Sequence, residues 1–264
     1  MVDATSGSEA PPRLERAVQR YGTIVIVGGG CYGSYYLQQL GRAQRAGAVA
    51  WQELIVVDRD ATCAAVQGEA RRDFPAFSLE HATWEEFFAR YLDAAAREPE
   101  RHLHDAVVPS PLMPHLMAGW LLSRARERWP SRDVRTAALE SAPVVPWQRA
   151  GADGTHYVSF AEWMCPINCI EPARCPHTRG DRSWSLPPAI RTYVESECAA
   201  GRALEGPFVF HCTHRAYGVG MLDVADVLAA DRAIGERGAR GAAAFLVGTM
   251  SHCHGALQRI DVGE

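Results

Sequence analysis

The sequence predicts an α/β protein built on a doubly wound, mostly parallel sheet. Three observations predict this class. Short uncharged strands alternate with helical segments through the first half of the chain, the first strand runs directly into a glycine-rich turn, and the second strand ends at an acidic residue. Strands and helices that alternate at this spacing favour parallel strands joined by helical crossovers.

The elements of the first half follow from local patterns. Thr23–Val27 is β-branched and uncharged, which is typical of a strand buried on both faces. Apolar side chains at i, i+3, i+4, i+7 and i+8 from Trp84 to Leu92 predict an amphipathic helix. The other expected elements are a helix at 32–46, a strand at 54–57, a helical piece at 61–71, a strand at 77–80, a strand at 105–108, a helix at 114–128 with proline in its first turn, and a strand at 134–139.

The turn after the first strand, GGGCYGS, has the spacing of a dinucleotide-binding motif. Gly28 permits a tight turn, Gly30 lets the backbone approach a pyrophosphate, and Gly33 lets the following helix pack closely on the strand. The helix N-terminus then offers free N–H groups and a partial positive charge to the anion. Asp58 follows Gly33 by 25 residues and ends the second strand, where a carboxylate can accept hydrogen bonds from ribose hydroxyls.

This motif predicts a Rossmann-like domain that binds NAD(H). A 2′-phosphate beside Asp58 would meet a like charge, which favours NAD(H) over NADP(H), although Arg59 weakens that preference. The alternative is a Rossmann-like domain that has lost its ligand. Cys31 could lie near the cofactor, but a small buried thiol is the favoured interpretation. The predicted cofactor-binding residues are Gly28, Gly30, Cys31, Tyr32, Gly33 and Asp58.

Four segments, TIVIVGGGCYGSYYLQQL, LIVVDRDATCAAV, HATWEEFF and DAVV, resemble the nucleotide-binding domain of TrkA-type potassium-transport regulators. That family typically has a glycine-rich turn, an acid closing strand two, a Gly-Asp-Ala-Thr-like segment before the third helix and an Asp-Ala-Val-Val-like fourth strand. The resemblance covers residues 22–140 and implies the fold and nucleotide binding, but not the regulatory function. It departs at His81, where the family usually has an acid, and in the longer stretch 93–104.

The second half carries a cysteine-rich segment, MCPINCIEPARCPHTRGDRSW. Cys165, Cys169, Cys175 and His177 fall within 13 residues, and thiolates and imidazoles are the ligands that suit zinc or an iron–sulfur cluster. Prolines stiffen such a loop, which lowers the entropy lost when it wraps a metal. The sequence therefore predicts a metal-binding loop at 163–185. A proline-rich loop with incidental cysteines and a redox pair of two thiols are the alternatives.

Two His/Cys clusters follow predicted strands at 207–210 and 243–247. A helix between these strands, preceded by Gly218 and Gly220, predicts a second βαβ unit that extends the same sheet. Parallel strands would then bring both clusters to their carboxyl ends, where ligand and catalytic groups collect in open α/β sheets. The predicted catalytic residues are His211 and His214, and His252 and His254, which share a face if their strand continues, are further candidate metal ligands.

Composition limits the class of protein. The 47% hydrophobic fraction allows a proper core, and the net charge of −4 argues against nucleic-acid binding. No stretch reaches the roughly 18 apolar residues of a spanning helix, and the polar N-terminus lacks a signal-peptide core, so a cytoplasmic protein is expected. We expect a flexible tail at 1–20, a NAD-binding domain at 21–145 and a Cys/His-rich α/β region at 146–264.

Three functions are consistent with these patterns. The leading hypothesis is an NAD-dependent oxidoreductase whose second half binds zinc or an iron–sulfur cluster and a small-molecule substrate. The first alternative is a non-catalytic nucleotide-sensing regulator, of the kind to which the TrkA-like resemblance points, with a purely structural metal. The second is a dehydrogenase–chelatase of tetrapyrrole metabolism, in which a GGG-containing turn accompanies metal handling. A homo-oligomer is consistent with all three.

Overall fold

A computed structural model describes residues 17–111, 115–163 and 165–264. The chain is a mixed α/β protein with parallel and antiparallel strands in two sheets. Its strands are β1 (Gln19–Val27), β2 (Val49–Asp58), β3 (Ser78–His81), β4 (Ala106–Val108), β5 (Val134–Ala137), β6 (Trp147–Ala150), β7 (His156–Ser159), β8 (Glu205–His211), β9 (Thr213–His214), β10 (Gly220–Asp223), β11 (Ala243–Met250) and β12 (His254–Val262). Its α-helices are α1 (Cys31–Arg45), α2 (Ala64–Gln67), α3 (Trp84–Arg97), α4 (Leu116–Arg128), α5 (Leu186–Ala199) and α6 (Val224–Gly238).

The first sheet has the order β3-β2-β1-β4-β10-β9. The four strands β3, β2, β1 and β4 are parallel, as the sequence predicts for the first half. The last two strands come from the second half of the chain and are antiparallel to their neighbours. The C-terminal half therefore does extend the first sheet, but through two short strands rather than through the predicted ones.

The second sheet has the order β6-β7-β12-β11-β8, with β5 paired to β12. β8 and β11 pair in parallel, while the other pairs among its described strands are antiparallel, so the predicted strands at 207–210 and 243–247 are confirmed and are parallel to each other. They do not join the first sheet, however. The strand predicted at 134–139 also lies here, as β5, instead of following its helix back into the first sheet.

Helices α3, α4 and α6 lie between the two sheets. Their apolar side chains share one buried cluster with residues of both sheets, such as Val25 of β1 and Phe245 of β11. Helix α1 covers the other face of the first sheet, where Leu37 and Leu40 pack on Ile24 and Ile26. Helix α5 covers the other face of the second sheet. Alternating side chains of β1 thus face two different cores, which explains why this strand is uniformly apolar.

Several predicted boundaries need correction. A tail was predicted at 1–20. Residues 1–16 lie outside the described residues, and residues 19 and 20 belong to β1. Pro114, expected in the first turn of a helix, also lies outside them. The helix predicted after Gly220 begins later, at Val224, because Met221 lies in β10. Within the described ranges, every helix is too short or too polar to cross a bilayer.

Candidate functional site

The glycine-rich turn connects β1 to α1 with the backbone geometry that the motif requires. Gly28 has a φ of +91°, a conformation that favours glycine, and its N–H donates to the Val57 carbonyl at 2.9 Å. A Cβ on Gly33 would lie 1.9 Å from the Gly28 carbonyl oxygen. The close packing predicted for Gly33 and the tight turn predicted for Gly28 are therefore both present.

Gly30 differs from Gly28, Gly29 and Gly33 because a side chain at this position would not contact the rest of the protein. A Cβ at this position would meet no atom within 4 Å, whereas one on Gly29 would lie 2.3 Å from the Cys63 Sγ. Gly30 is the N-cap of α1 and lines an open cavity of about 510 Å³. The other lining residues include Val27, Cys31, Tyr32, Asp58, Arg59, Thr83, Trp84, Glu85 and Ser110. The positive end of the α1 dipole faces this cavity.

Asp58 ends β2 beside the turn, and its carboxylate already has two partners. Oδ2 accepts a hydrogen bond from the Gly29 N–H at 2.7 Å, and Oδ1 accepts one from the Asp60 N–H at 2.9 Å. Each carboxylate oxygen has a second lone pair, so both can still accept from a ligand hydroxyl. The sequence predicted a ligand role for Asp58 but not this structural one, in which the acid fixes the shape of the turn.

Two residues of the cavity wall were missed by the sequence analysis. The Trp84 indole N–H donates to the Val57 carbonyl at 3.1 Å, and its ring lies 3.4 Å from where a Gly28 Cβ would be. Thr83 caps α3 in a capping box with Glu86, whose backbone N–H donates to the Thr83 hydroxyl. The sequence contained the signal for this cap, since Thr83 precedes Glu86 by three residues at the start of an apolar run.

A second polar cluster surrounds Glu171, which is only 9% exposed. Its carboxylate accepts hydrogen bonds from the Ser251 hydroxyl at 2.6 Å, the His252 N–H at 2.9 Å and the Cys253 N–H at 3.0 Å. Burial raises the pKa of Glu171, but these donors outweigh burial and leave its pKa below the ordinary value. Glu171 thus holds the turn between β11 and β12 as a buried anion. No sequence pattern singled it out.

The histidine cluster, His211, His214, His252 and His254, lies around this anion. The rings of His211 and His252 meet edge to face with centroids 4.7 Å apart, and His252 Nδ1 lies 2.8 Å from the Ser185 hydroxyl. Burial lowers the pKa of all four imidazoles, which favours their neutral form. In the described part of the chain, the buried His211 Nε2 has no hydrogen-bond partner.

The register explains part of this arrangement and corrects one expectation. His211 lies opposite Met250 in the parallel pair β8–β11, so both His/Cys segments follow the carboxyl ends of adjacent strands, as predicted. The strand β11 ends at Met250, however, and the chain turns before β12 begins at His254. His252 and His254 are therefore not on one face of a continued strand.

The cysteine loop brings some predicted ligands together and separates another. Cys165 Sγ lies 3.4 Å from His254 Nε2, and burial, with smaller contributions from the thiols of Cys169 and Cys175, raises the pKa of Cys165 to about 11. The His177 ring instead stacks on Trp163 with centroids 4.3 Å apart. Among residues 17–111, 115–163 and 165–264, no group of three His, Cys, Asp or Glu side chains is placed to hold a metal ion.

A comparison with protein families finds a match to the second half of the chain. The model of the AF_1314_C family, described as "Uncharacterized protein, C-terminal domain", matches residues 117–263. The chain belongs to this family. Neither the curated proteins nor the solved structures contain a match.

The AF_1314_C region contains the whole histidine cluster and also reaches the first sheet. The chain leaves the second sheet at His211 and enters the first at Thr213, with only Cys212 between them. Burial raises the pKa of Cys212 to about 12, and burial together with this neighbouring thiol raises that of Tyr36 in α1 to about 12. Cys212, which lies between His211 and His214 in sequence, is therefore near Tyr36 of α1, the helix that begins at the glycine-rich turn.

Proposed function

We propose that the first half of this protein is a Rossmann-type unit that binds NAD(H) over the glycine-rich turn. The observation that carries the proposal is Gly30. The fold has no steric need for glycine there, since a Cβ would point into open cavity, whereas Gly28 and Gly33 are explained by the backbone alone. A ligand whose pyrophosphate lies against the backbone would explain why position 30 is a glycine.

The surrounding residues fit such a ligand. The first turn of α1 presents backbone N–H groups and a partial positive charge to a pyrophosphate. Asp58 lies at the end of β2 with spare lone pairs for ribose hydroxyls, and its negative charge disfavours a 2′-phosphate. Trp84 and Thr83 form the wall beyond Asp58. We therefore expect NAD(H) to bind more tightly than NADP(H).

We further propose that the protein is an oxidoreductase. Bound NAD⁺ supplies a hydride acceptor, and an alcohol or amine that loses a hydride must also lose a proton. The neutral imidazoles of His211 and His214 are suited to receive that proton, since burial lowers both pKa values. His214 lies in β9, at the edge of the first sheet opposite to β2 and β3, whereas Asp58 ends β2.

The competing proposal is a nucleotide-sensing regulator without turnover. One observation favours it: among the described residues that line the glycine-rich cavity, there is no histidine. Nothing in the described geometry favours the dehydrogenase–chelatase.

Calorimetry on the full chain with NADH and NADPH tests the binding proposal. We expect heat of binding with NADH and weaker binding with NADPH. Absence of binding to both would refute the proposal. Turnover is tested separately by following NADH absorbance with a panel of small carbonyl compounds. NADH binding without oxidation of NADH by any of them favours the regulator.

A metal in the cysteine loop stays a prediction. The described side chains form no ready-made ligand set, and His177 lies against Trp163 rather than beside the thiols. Elemental analysis of protein purified without oxygen tests it directly. One zinc per chain would support a thiolate site, and iron with sulfide would support a cluster. A protein that contains no zinc and no iron would refute the prediction.

A further inference from the structure

Strand β6 lies at an open edge of the second sheet. Among the described strands it pairs only with β7, and all four of its residues are exposed. Trp147, its first residue, is 43% exposed, and Val144, three residues earlier, is 96% exposed. An edge strand with exposed apolar side chains is a surface on which another strand can pair.

The hydrogen bonds of the β6–β7 hairpin fix which backbone groups face this edge. The Gly151 N–H donates at 2.7 Å to the carbonyl of Thr155, which lies directly opposite in the register of the two strands. Hydrogen-bonded and non-hydrogen-bonded pairs alternate along antiparallel strands. Counting back from Gly151, Gln148 and Ala150 are therefore the residues whose N–H and C=O groups point away from β7.

The side chains of β6 include a matched cation and aromatic ring. Trp147 and Arg149 lie on one face of the strand, because side chains alternate between its two faces. Among the residues that the structure describes, the Arg149 guanidinium has no hydrogen bond or ion pair. A guanidinium over an indole ring forms a favourable cation–π pair. β6 therefore carries both members of such a pair at an open edge.

We propose that β6 is a homodimer interface, in which two copies of this chain pair their β6 strands antiparallel about a two-fold axis. Such an axis makes the interface self-complementary, so each contact occurs twice. The outward N–H and C=O groups of Gln148 and Ala150 supply the new ladder. The second sheets of the two chains then form one continuous sheet.

Charge selects the register of this pairing. With Gln148 opposite Gln148 of the second copy, each Trp147 lies opposite Arg149 of the other chain, in a non-hydrogen-bonded pair where side chains are closest. Ala150 then donates to the Pro146 carbonyl of the other chain, and Pro146 has no N–H that would need an acceptor. A register with Arg149 opposite itself would set like charges against each other. A register centred on Ala150 would carry Trp147 past the end of the other β6.

The interface is small, since each chain contributes the four residues of β6 and their flanks. A stable interface of standard size has about 20–30 residues a side. We therefore expect a reversible dimer whose fraction rises with protein concentration.

Sedimentation velocity of the full chain over a range of concentrations tests the proposal. We expect the sedimentation coefficient to rise from that of a monomer towards that of a dimer. Arg149→Glu should raise the dimer Kd about fivefold to thirtyfold, the factor for two exposed cation–π contacts, and Trp147→Ala should raise it at least as much. Arg240→Glu makes the same charge change at an exposed position after α6 and should leave the Kd unchanged.

Two results would overturn the proposal. One is a chain that stays monomeric at every concentration. The other is a dimer whose Kd is the same in the unaltered chain, Arg149→Glu and Trp147→Ala, because the interface would then lie elsewhere.

Ala150→Pro tests the backbone ladder. The Ala150 N–H points away from β7, so proline removes the bond to the second copy and keeps the hairpin bonds, as it does on natural edge strands. We expect an unchanged circular dichroism spectrum and a dimer Kd raised about fivefold or more. If this variant fails to fold, the exposed side chains of Trp147 and Arg149 still decide the question.

Cysteine cross-linking tests the register. Opposite residues of a hydrogen-bonded pair have Cα atoms about 5.5 Å apart, which suits a disulfide. Under mild oxidation Gln148→Cys should give a linked dimer and Arg149→Cys should not, with the unaltered chain as control because Cys31 and Cys198 are exposed. A link at position 149 instead of 148 would overturn the register. None of these measurements depends on nucleotide binding, so the two proposals fail separately.

Discussion

Replacing Gly30 with alanine separates a ligand role from a structural one. The added Cβ meets no protein atom within 4 Å, and Gly30 has an ordinary φ of −74°, so the backbone accepts alanine. Loss of chain entropy in the unfolded state stabilises by about 0.4–1 kcal/mol. The poorer N-cap offsets a similar amount. We therefore expect the free energy of unfolding to change by less than about 1 kcal/mol.

The effect on NAD(H) affinity should be much larger. A methyl group at the proposed pyrophosphate site would displace the anion and remove at least one charge-assisted hydrogen bond, worth about 1.5–3 kcal/mol. At 1.4 kcal/mol for each factor of ten, the Kd for NADH should rise about tenfold to hundredfold. Calorimetry measures this change, and urea unfolding measures stability.

Matched glycine variants complete the experiment. Gly119→Ala, in α4, also adds a Cβ with no atom within 4 Å, and it should leave NADH affinity unchanged. Gly33→Ala places its Cβ 1.9 Å from the Gly28 carbonyl oxygen and should reduce both stability and affinity. Wild-type affinity for NADH in Gly30→Ala would refute the argument that this glycine exists for a ligand.

The cap of α3, the Asp58 carboxylate and the histidine cluster each predict a measurable change in stability. Thr83→Ala removes the cap of α3 and should lower the free energy of unfolding by about 1 kcal/mol in urea titrations. Asp58→Asn leaves one acceptor oxygen for the N–H groups of Gly29 and Asp60, and should cost about 1–3 kcal/mol of stability as well as NADH affinity. Stability should fall as pH drops below about 6.5, because unfolded histidines then bind protons that the buried histidine cluster does not. Each histidine contributes a slope of at most about 1.4 kcal/mol per pH unit until its folded pKa is reached.

Each of these three has a clear contrary outcome. An unchanged urea midpoint for Thr83→Ala would mean that the cap does not form. An Asp58→Asn chain with normal stability but weak NADH binding would assign Asp58 to the ligand alone. Stability that is level between about pH 6.5 and 5.5 would contradict burial of the neutral imidazoles. His214→Gln should make the slope shallower.

The sequence predicted the first half well because its signals are local. Thr23–Val27, the glycine spacing and the apolar positions of α3 each depend on neighbours within about ten residues, and each appears in the structure. The helix pattern from Trp84 is set by one buried face against a sheet. Periodicity, however, does not say which sheet receives a strand. β5 has ordinary strand residues and pairs with β12, more than a hundred residues away in sequence.

The second half depended on contacts that leave no periodic trace. The strands β9 and β10 are two and four residues long, too short for any alternation to appear. Glu171 is held by backbone N–H groups from residues about eighty positions later, so its burial has no local cause. His177 was predicted as a ligand from its residue type and its nearness to the cysteines in sequence, but its ring stacks on Trp163. Residue type alone indicated which cysteines and histidines could act together. Which of them lie close to one another depends on tertiary packing.

The crossing at Cys212 has a mechanical consequence. Its N–H donates to the Met250 carbonyl at 2.8 Å, so the residue is fixed to the second sheet while the next two residues pair with β10 in the first. A linker of one residue has no slack. Any rotation of one sheet against the other must therefore break that hydrogen bond or carry His211 and His214 along with it. A displacement of either sheet would therefore strain the backbone at Cys212, which joins them.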